Sequence, residues 1–153
     1  TPAKIRIAAM DLLTGREYSR AELATKLNKR FDSHPSIDQV LVQISEEGLQ
    51  SDKRFTEAYI RSRIYRGHGL SRIRQDIRQK GVSDELVAQG LESADVDWYA
   101  LARDVALRKF GQRQSADQRE KAKRMRFMQY RGFNYDQIKY ALGASDDIDE
   151  YQD

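Results

Sequence analysis

Three positions, Ser36, Ser83 and Asn134, repeat one local pattern. Each is a helix-capping residue type followed by an apolar residue four positions on (Val40, Val87, Ile138) and another eight positions on (Ile44, Leu91, Leu142). A side-chain oxygen set just ahead of an i, i+4 apolar stripe starts an amphipathic helix, because it satisfies an amide that has no partner in the first turn. The caps lie 47 residues apart (Ser36 to Ser83) and 51 apart (Ser83 to Asn134). In the second and third copies the residue before the cap, Val82 or Phe133, is apolar and can staple onto the fourth helical position. Such a period predicts three stacked helical modules, each too small to bury a core alone and burying its face partly against the next.

Other punctuation fills in the remaining helices. One runs over roughly Ala3 to Leu13 and closes at Gly15. Ser19 and Glu22 have capping-box spacing and open a helix carrying Leu23 and Leu27, which residues 31 to 35 break. Ser36 with Gln39 caps the third helix, which stops at Gly48. Between Asp52 and Val82 two helices are broken at Gly67-His68-Gly69, with Phe55 and Tyr59 one turn apart, Ile73 and Ile77 on one stripe, and Gly81 placed for a left-handed stop. Asp97 opens the next helix, with Leu101 and Val105. Asp117 and Glu120 form another box ahead of Ala122, Met125 and Met128, and Asn134 opens a last helix closed by Gly143. The predicted boundaries are 1–50, 51–95 and 96–144 for the repeats and 145–153 for a flexible acidic tail.

Charge is unevenly distributed along this frame. Residues 53–80 hold nine Lys/Arg against two acids, and residues 108–131 hold nine against two, a net +7 in each block. The rest of the chain keeps nine basic and 20 acidic residues, five of the acids being Asp146, Asp147, Asp149, Glu150 and Asp153. Two cationic blocks at equivalent places in successive repeats point to an anionic partner surface. Their alternative role is to solvate helix faces and lay aliphatic stems over core edges.

No cysteine is present, so neither a disulfide framework nor a thiolate metal site is available. The first residues carry no sustained apolar run and nothing later approaches a membrane span, which leads to the expectation of a cytoplasmic protein with no membrane contact. Thr1 in place of methionine reads as the mark of a trimmed chain.

The residues of the central module carry a resemblance. Asp52, Phe55, Tyr59, Ile60, Ser62, Arg63, Gly67, Gly69, Arg72, Ile73, Arg74, Gln75, Ile77, Gln79, Lys80, Gly81 and Val82 are similar to the core signature of the RecX family of bacterial regulatory proteins. Tyr130-Arg131-Gly132-Phe133 resembles the matching turn of that family's last module. The likeness covers nearly the whole chain and is most specific in the middle third; nothing is carried over for residues 31–35 or beyond Gly143. It implies an all-α fold, an elongated stack of three tandem three-helix repeats, that binds the RecA recombinase filament, limits strand exchange, ATP turnover and coprotease activity, and so acts in DNA repair and the SOS response; a monomer is expected.

The candidate filament- or nucleic-acid-binding residues are Arg61, Arg66, Arg72, Arg74, Arg78, Lys80, Lys123, Arg124, Arg126 and Arg131. Arg74 and Arg78 lie one turn apart beside the Ile73/Ile77 stripe with no acid at helical spacing, a pose suited to projecting guanidinium forks toward phosphate or carboxylate. Tyr65, Tyr130 and Tyr135 can interleave as stacking surfaces. A stand-alone helical module that contacts single- or double-stranded DNA directly uses the same basic faces and stays open as the alternative. Catalysis is not expected. No phosphate loop, HExxH or nucleophile elbow occurs, His34 and His68 both sit in breaks between helices, and no catalytic residue, metal ligand or cofactor is assigned.

Overall fold

The structure, a computed structural model, describes residues 1–143. The acidic tail expected at 145–153 lies outside the described residues. Among these there are nine α-helices and no strand, so the all-α reading holds. The chain divides into two compact units. One holds Thr1–Ile60 and Asp76–Ala94, the other Arg61–Gln75 and, among the described residues, 95–143.

The first unit contains α1 (Pro2–Gly15), α2 (Arg20–Arg30), α3 (Ile37–Glu46), the part of α4 (Asp52–Tyr65) up to Ile60, the end of α5 (Leu70–Arg78) and α6 (Asp84–Ala94). Its core is built from Ile5, Ala8 and Ala9 of α1, Leu23 and Leu27 of α2, and Ile37, Val40, Leu41 and Ile44 of α3. These are the stripes that helical periodicity marks. The Ser19 box forms as expected: the Glu22 amide donates to Ser19 Oγ at 3.0 Å and the Ser19 amide donates to Glu22 Oε1 at 3.1 Å.

Ser36 does not cap α3. Its backbone is already helical (φ −79°, ψ −8°) and its hydroxyl accepts nothing from the helix. Instead the Ser36 amide donates to His34 Nδ1 at 3.0 Å. The turn reaches this geometry through Asp32 and Ser33, both with φ of 53°; the imidazole takes the Ser36 amide that a Gln39 side chain would accept in a full box, and Ser36, already helical, is not in the extended conformation a cap needs.

Glu22 ties the unit together electrostatically. Arg16 reaches it at 3.3 Å and Lys80 Nζ at 3.4 Å. Burial pushes its carboxyl up, but the Arg16 hydrogen bond, the Ser19 amide and the charges of Arg16 and Lys80 together outweigh burial and hold it below the usual carboxylate range. A depressed folded-state pKa contributes stability above the unfolded pKa, and that contribution is lost as pH falls through the folded one. Urea denaturation at about pH 7 and about pH 3 should therefore show a smaller acid-induced loss of stability for Glu22→Gln than for the parent chain. An equal loss in both would place the acid sensitivity elsewhere.

The second unit contains the end of α4 from Arg61, the turn 66–69, α5 through Gln75, and α7 (Trp98–Phe110), α8 (Gln118–Tyr130) and α9 (Tyr135–Ala141). Ala102, Val105 and Ala106 of α7 pack with Met128 of α8, the buried Phe133, and Ile138 and Ala141 of α9. Asp97 caps α7 and Asn134 makes a complete box with Gln137. The Asp117 box is offset by one residue: Asp117 accepts from the Glu120 amide at 2.8 Å, while Glu120 Oε2 accepts from the Ala116 amide at 2.7 Å.

Two glycine turns meet in this unit, backbone to backbone. The Gly69 amide donates to Arg131 O at 2.7 Å and the Ser71 amide to Gly132 O at 3.2 Å. A Cβ on Gly69 would lie 2.5 Å from the Gly132 carbonyl, and one on Gly132, where φ is +101°, would lie 2.5 Å from Arg72 Cβ. The turn after α4 is thereby docked on the turn after α8.

Candidate interaction surface

The ten sequence-selected cations divide between the two units, and within each the structure decides which remain available. Arg78 and Lys80 belong to the first unit. Arg78 has the acid partner that helical spacing did not provide: its Nε is 3.0 Å from Asp84 Oδ1, across the turn into α6. Both groups are exposed, so the pair adds little stability, yet it lowers the effective charge that Arg78 presents. Lys80 is the residue seen above beside Glu22.

The other eight lie in the second unit. Here the two basic blocks meet: Arg131 Nη1 donates to Arg66 O at 2.7 Å, and the Arg72 guanidinium stands 5.0 Å from the centroid of the Tyr130 ring. Arg61, Arg66, Arg74, Lys123 and Arg126 are exposed and make no ion pair with another described residue. On α8, Lys123 and Arg126 continue a stripe that begins at the exposed Arg119 and ends at Tyr130, at i, i+4, i+7 and i+11. Arg119 belongs to the same face, as its four-residue spacing from Lys123 makes legible, and joins the ten residues named from the sequence. Tyr65, Tyr130 and Tyr135 expose 86%, 75% and 57% of their surface.

Arg124 has to be removed from the projecting set. It is 8% exposed, on the side of α8 that also carries Met128. Its Nη1 donates to Arg113 O at 2.9 Å, its Nη2 to Glu120 Oε1 at 3.0 Å, and its guanidinium lies 5.0 Å from the Phe110 centroid. The Ala116 amide and Arg124 itself hold the Glu120 carboxyl below its ordinary range. Arg124 thus pins the segment between α7 and α8 to the helix. The i, i+4 repeat of charges along α8 could not separate it from Lys123 and Arg126, because both faces of this helix carry arginine.

His34 accepts the Ser36 amide, and His68 is buried in the turn between α4 and α5, where its amide donates to Arg63 O at 2.9 Å. Among the described residues no group of His, Cys, Asp and Glu has an arrangement that could hold a metal ion, and no helix is long and apolar enough to cross a membrane.

Comparison with known proteins gives consistent matches. The family model described as the second three-helix domain of RecX matches residues 51–91, and the one described as its third three-helix domain matches residues 95–142. The chain is 45% identical to "Regulatory protein RecX" of Halorhodospira halophila, covering 95% of this chain and 91% of that protein. It is 42% identical to the protein of the same name from Pseudomonas putida strain GB-1, covering 99% and 96%. Its fold is similar to the crystal structure of RecX from Lactobacillus salivarius, with a TM-score of 0.74 at 21% identity over 92% of this chain and 94% of that one.

Proposed function

We propose that this chain, which belongs to the RecX family, is a binding regulator that attaches to the RecA recombinase filament through the exposed cations of its second unit and thereby limits strand exchange, ATP turnover and coprotease activity. The supporting observation is the sorting of the cations. Arg61, Arg66, Arg74, Lys123 and Arg126 stand exposed without an internal ion pair, while Arg78, Lys80 and Arg124 are engaged by Asp84, Glu22 and Glu120. Unengaged guanidinium and ammonium groups keep their full potential for an anionic partner and give both steering and register. The same reading takes residues 1–50, 51–95 and 96–144 as successive repeats of a monomeric cytoplasmic protein. It acts by binding rather than by chemistry, and the His34 ring serves a turn by accepting the Ser36 amide.

The charge-reversed protein Lys123→Glu with Arg126→Glu tests this directly. Its affinity for recombinase-coated single-stranded DNA should fall about tenfold or more, while its folding free energy should change by no more than about 0.5 kcal/mol per site, as is usual for exposed helix positions. Lys4→Glu with Lys29→Glu makes the same charge change in the other unit and should matter much less. Equal losses in the two proteins would assign the effect to bulk charge, and no loss in the first would exclude this face of α8 as the contact.

A further inference from the structure

Tyr65, the last residue of α4, is the most exposed large side chain with apolar surface among the described residues, and it stands at the edge of a recess of about 350 Å³ lying wholly within the second unit. The recess has the volume of a small-molecule site. Its charged lining is Arg66, Arg108, Lys109 and Arg131 against a single acid, Asp104, which is 3.2 Å from Arg108. Phe127 supplies an aromatic wall, with the Arg131 guanidinium and Lys109 ammonium held 5.0 and 5.2 Å from its centroid. The Tyr65 ring itself makes no ring or cation contact with another described residue.

We infer that this recess takes one unpaired nucleotide of a single-stranded nucleic acid, with the base stacked on Tyr65 and the flanking phosphates held by Arg66, Arg108 and Lys109. Cations alone would serve for a carboxylate-rich peptide, but such a ligand gives no use to a bare aromatic face at the rim. A nucleobase does, because every base has a π-face and stacking needs no sequence match. Duplex DNA is disfavoured, since its base faces are already covered by neighbouring base pairs. This goes beyond the filament reading, because it requires no recombinase.

The test uses the intact protein and no recombinase. Binding of a fluorescein-labelled oligothymidylate of about ten nucleotides, within the site sizes of single-strand binders, is followed by anisotropy across a salt series, beside a duplex containing the same strand. Tyr65→Ala should weaken single-strand binding about tenfold with the salt slope unchanged, since a neutral ring releases no counterion. Tyr65→Phe should bind like the parent. Tyr65→Leu, which keeps apolar bulk without a π-face, should lose as much as Tyr65→Ala and covers the case of a poorly folded alanine variant. Arg66→Ala and Lys109→Ala should each flatten the log–log slope by about 0.7, as for one phosphate contact on a single strand. Parent-like binding by Tyr65→Ala and Tyr65→Leu would overturn the proposal, as would an equal loss on the duplex. Displacement of the oligonucleotide by polyglutamate with no dependence on Tyr65 would assign the recess to an acidic protein segment instead.

Discussion

Gly132→Ala should destabilise the folded chain by about 3 kcal/mol and Gly69→Ala by about 2–3 kcal/mol, read as a shift of the urea unfolding midpoint at constant slope. The expectation rests on backbone geometry. At Gly69 an added Cβ meets the carbonyl of Gly132 at 2.5 Å and the Phe133 amide nitrogen at 2.7 Å, neither of which can swing away as a side-chain end can. Separating the two turns would also lengthen the Gly69 to Arg131 and Ser71 to Gly132 hydrogen bonds, leaving buried backbone groups without partners. Gly132 adds a left-handed φ of +101° to an overlap with Arg72. That strain comes on top of the steric cost and places it above Gly69. Gly48→Ala is the control: its φ of +76° is also left-handed, but nothing lies within 4 Å of the new Cβ, so only about 1 kcal/mol should be lost. Equal effects at Gly48 and Gly132 would mean that backbone conformation alone matters and that the docking of the turns adds nothing.

Arg124→Glu should cost about 1–3 kcal/mol, because it sets a charge at a buried position without the hydrogen bonds that Arg124 makes there, while the half-open Glu120 keeps the site from being a fully buried pair. The new carboxylate would face Glu120, which now accepts from Arg124 at 3.0 Å, and the Arg113 carbonyl would lose its donor. Arg124→Met should cost much less, because an apolar chain of similar length keeps the contact with Phe110, while Glu120 is open enough to take water instead. Denaturation of both variants by circular dichroism gives the order. A charge-reversed protein that folds like the parent but fails to bind recombinase-coated DNA would return Arg124 to the contact surface.

The helices were legible because a helix is a local object. Ser19, Asn134 and Asp97 cap within three residues of themselves, and the i, i+4 stripes of Leu23 and Leu27 or Val40 and Ile44 turn their own face inward whatever they pack against. The family was legible for a related reason, since the glycines and arginines of residues 52–82 sit at fixed offsets along one chain. Ser36 shows the limit even at this range: the turn at Asp32 and Ser33 brings Ser36 in already helical, and its amide goes to a histidine two residues back and not to Gln39.

The fate of each charge is not local. Arg124 and Arg126 are two residues apart on one helix and read alike in sequence, yet one is buried against Phe110 and the Arg113 carbonyl and the other is exposed, a difference set by chain 11 and 14 residues upstream. Arg78 and Lys80 lost their availability to Asp84 and Glu22, the second of these 58 residues away. The recess at Tyr65 needs the end of α4, α7 and α8 together. Sequence alone settled that this chain forms short capped helices with two strongly cationic stretches, because capping and periodicity act within a turn or two. Which cations remain free to meet a partner was decided only by the tertiary structure, because ion pairing and burial depend on distances through space that no spacing along the chain encodes.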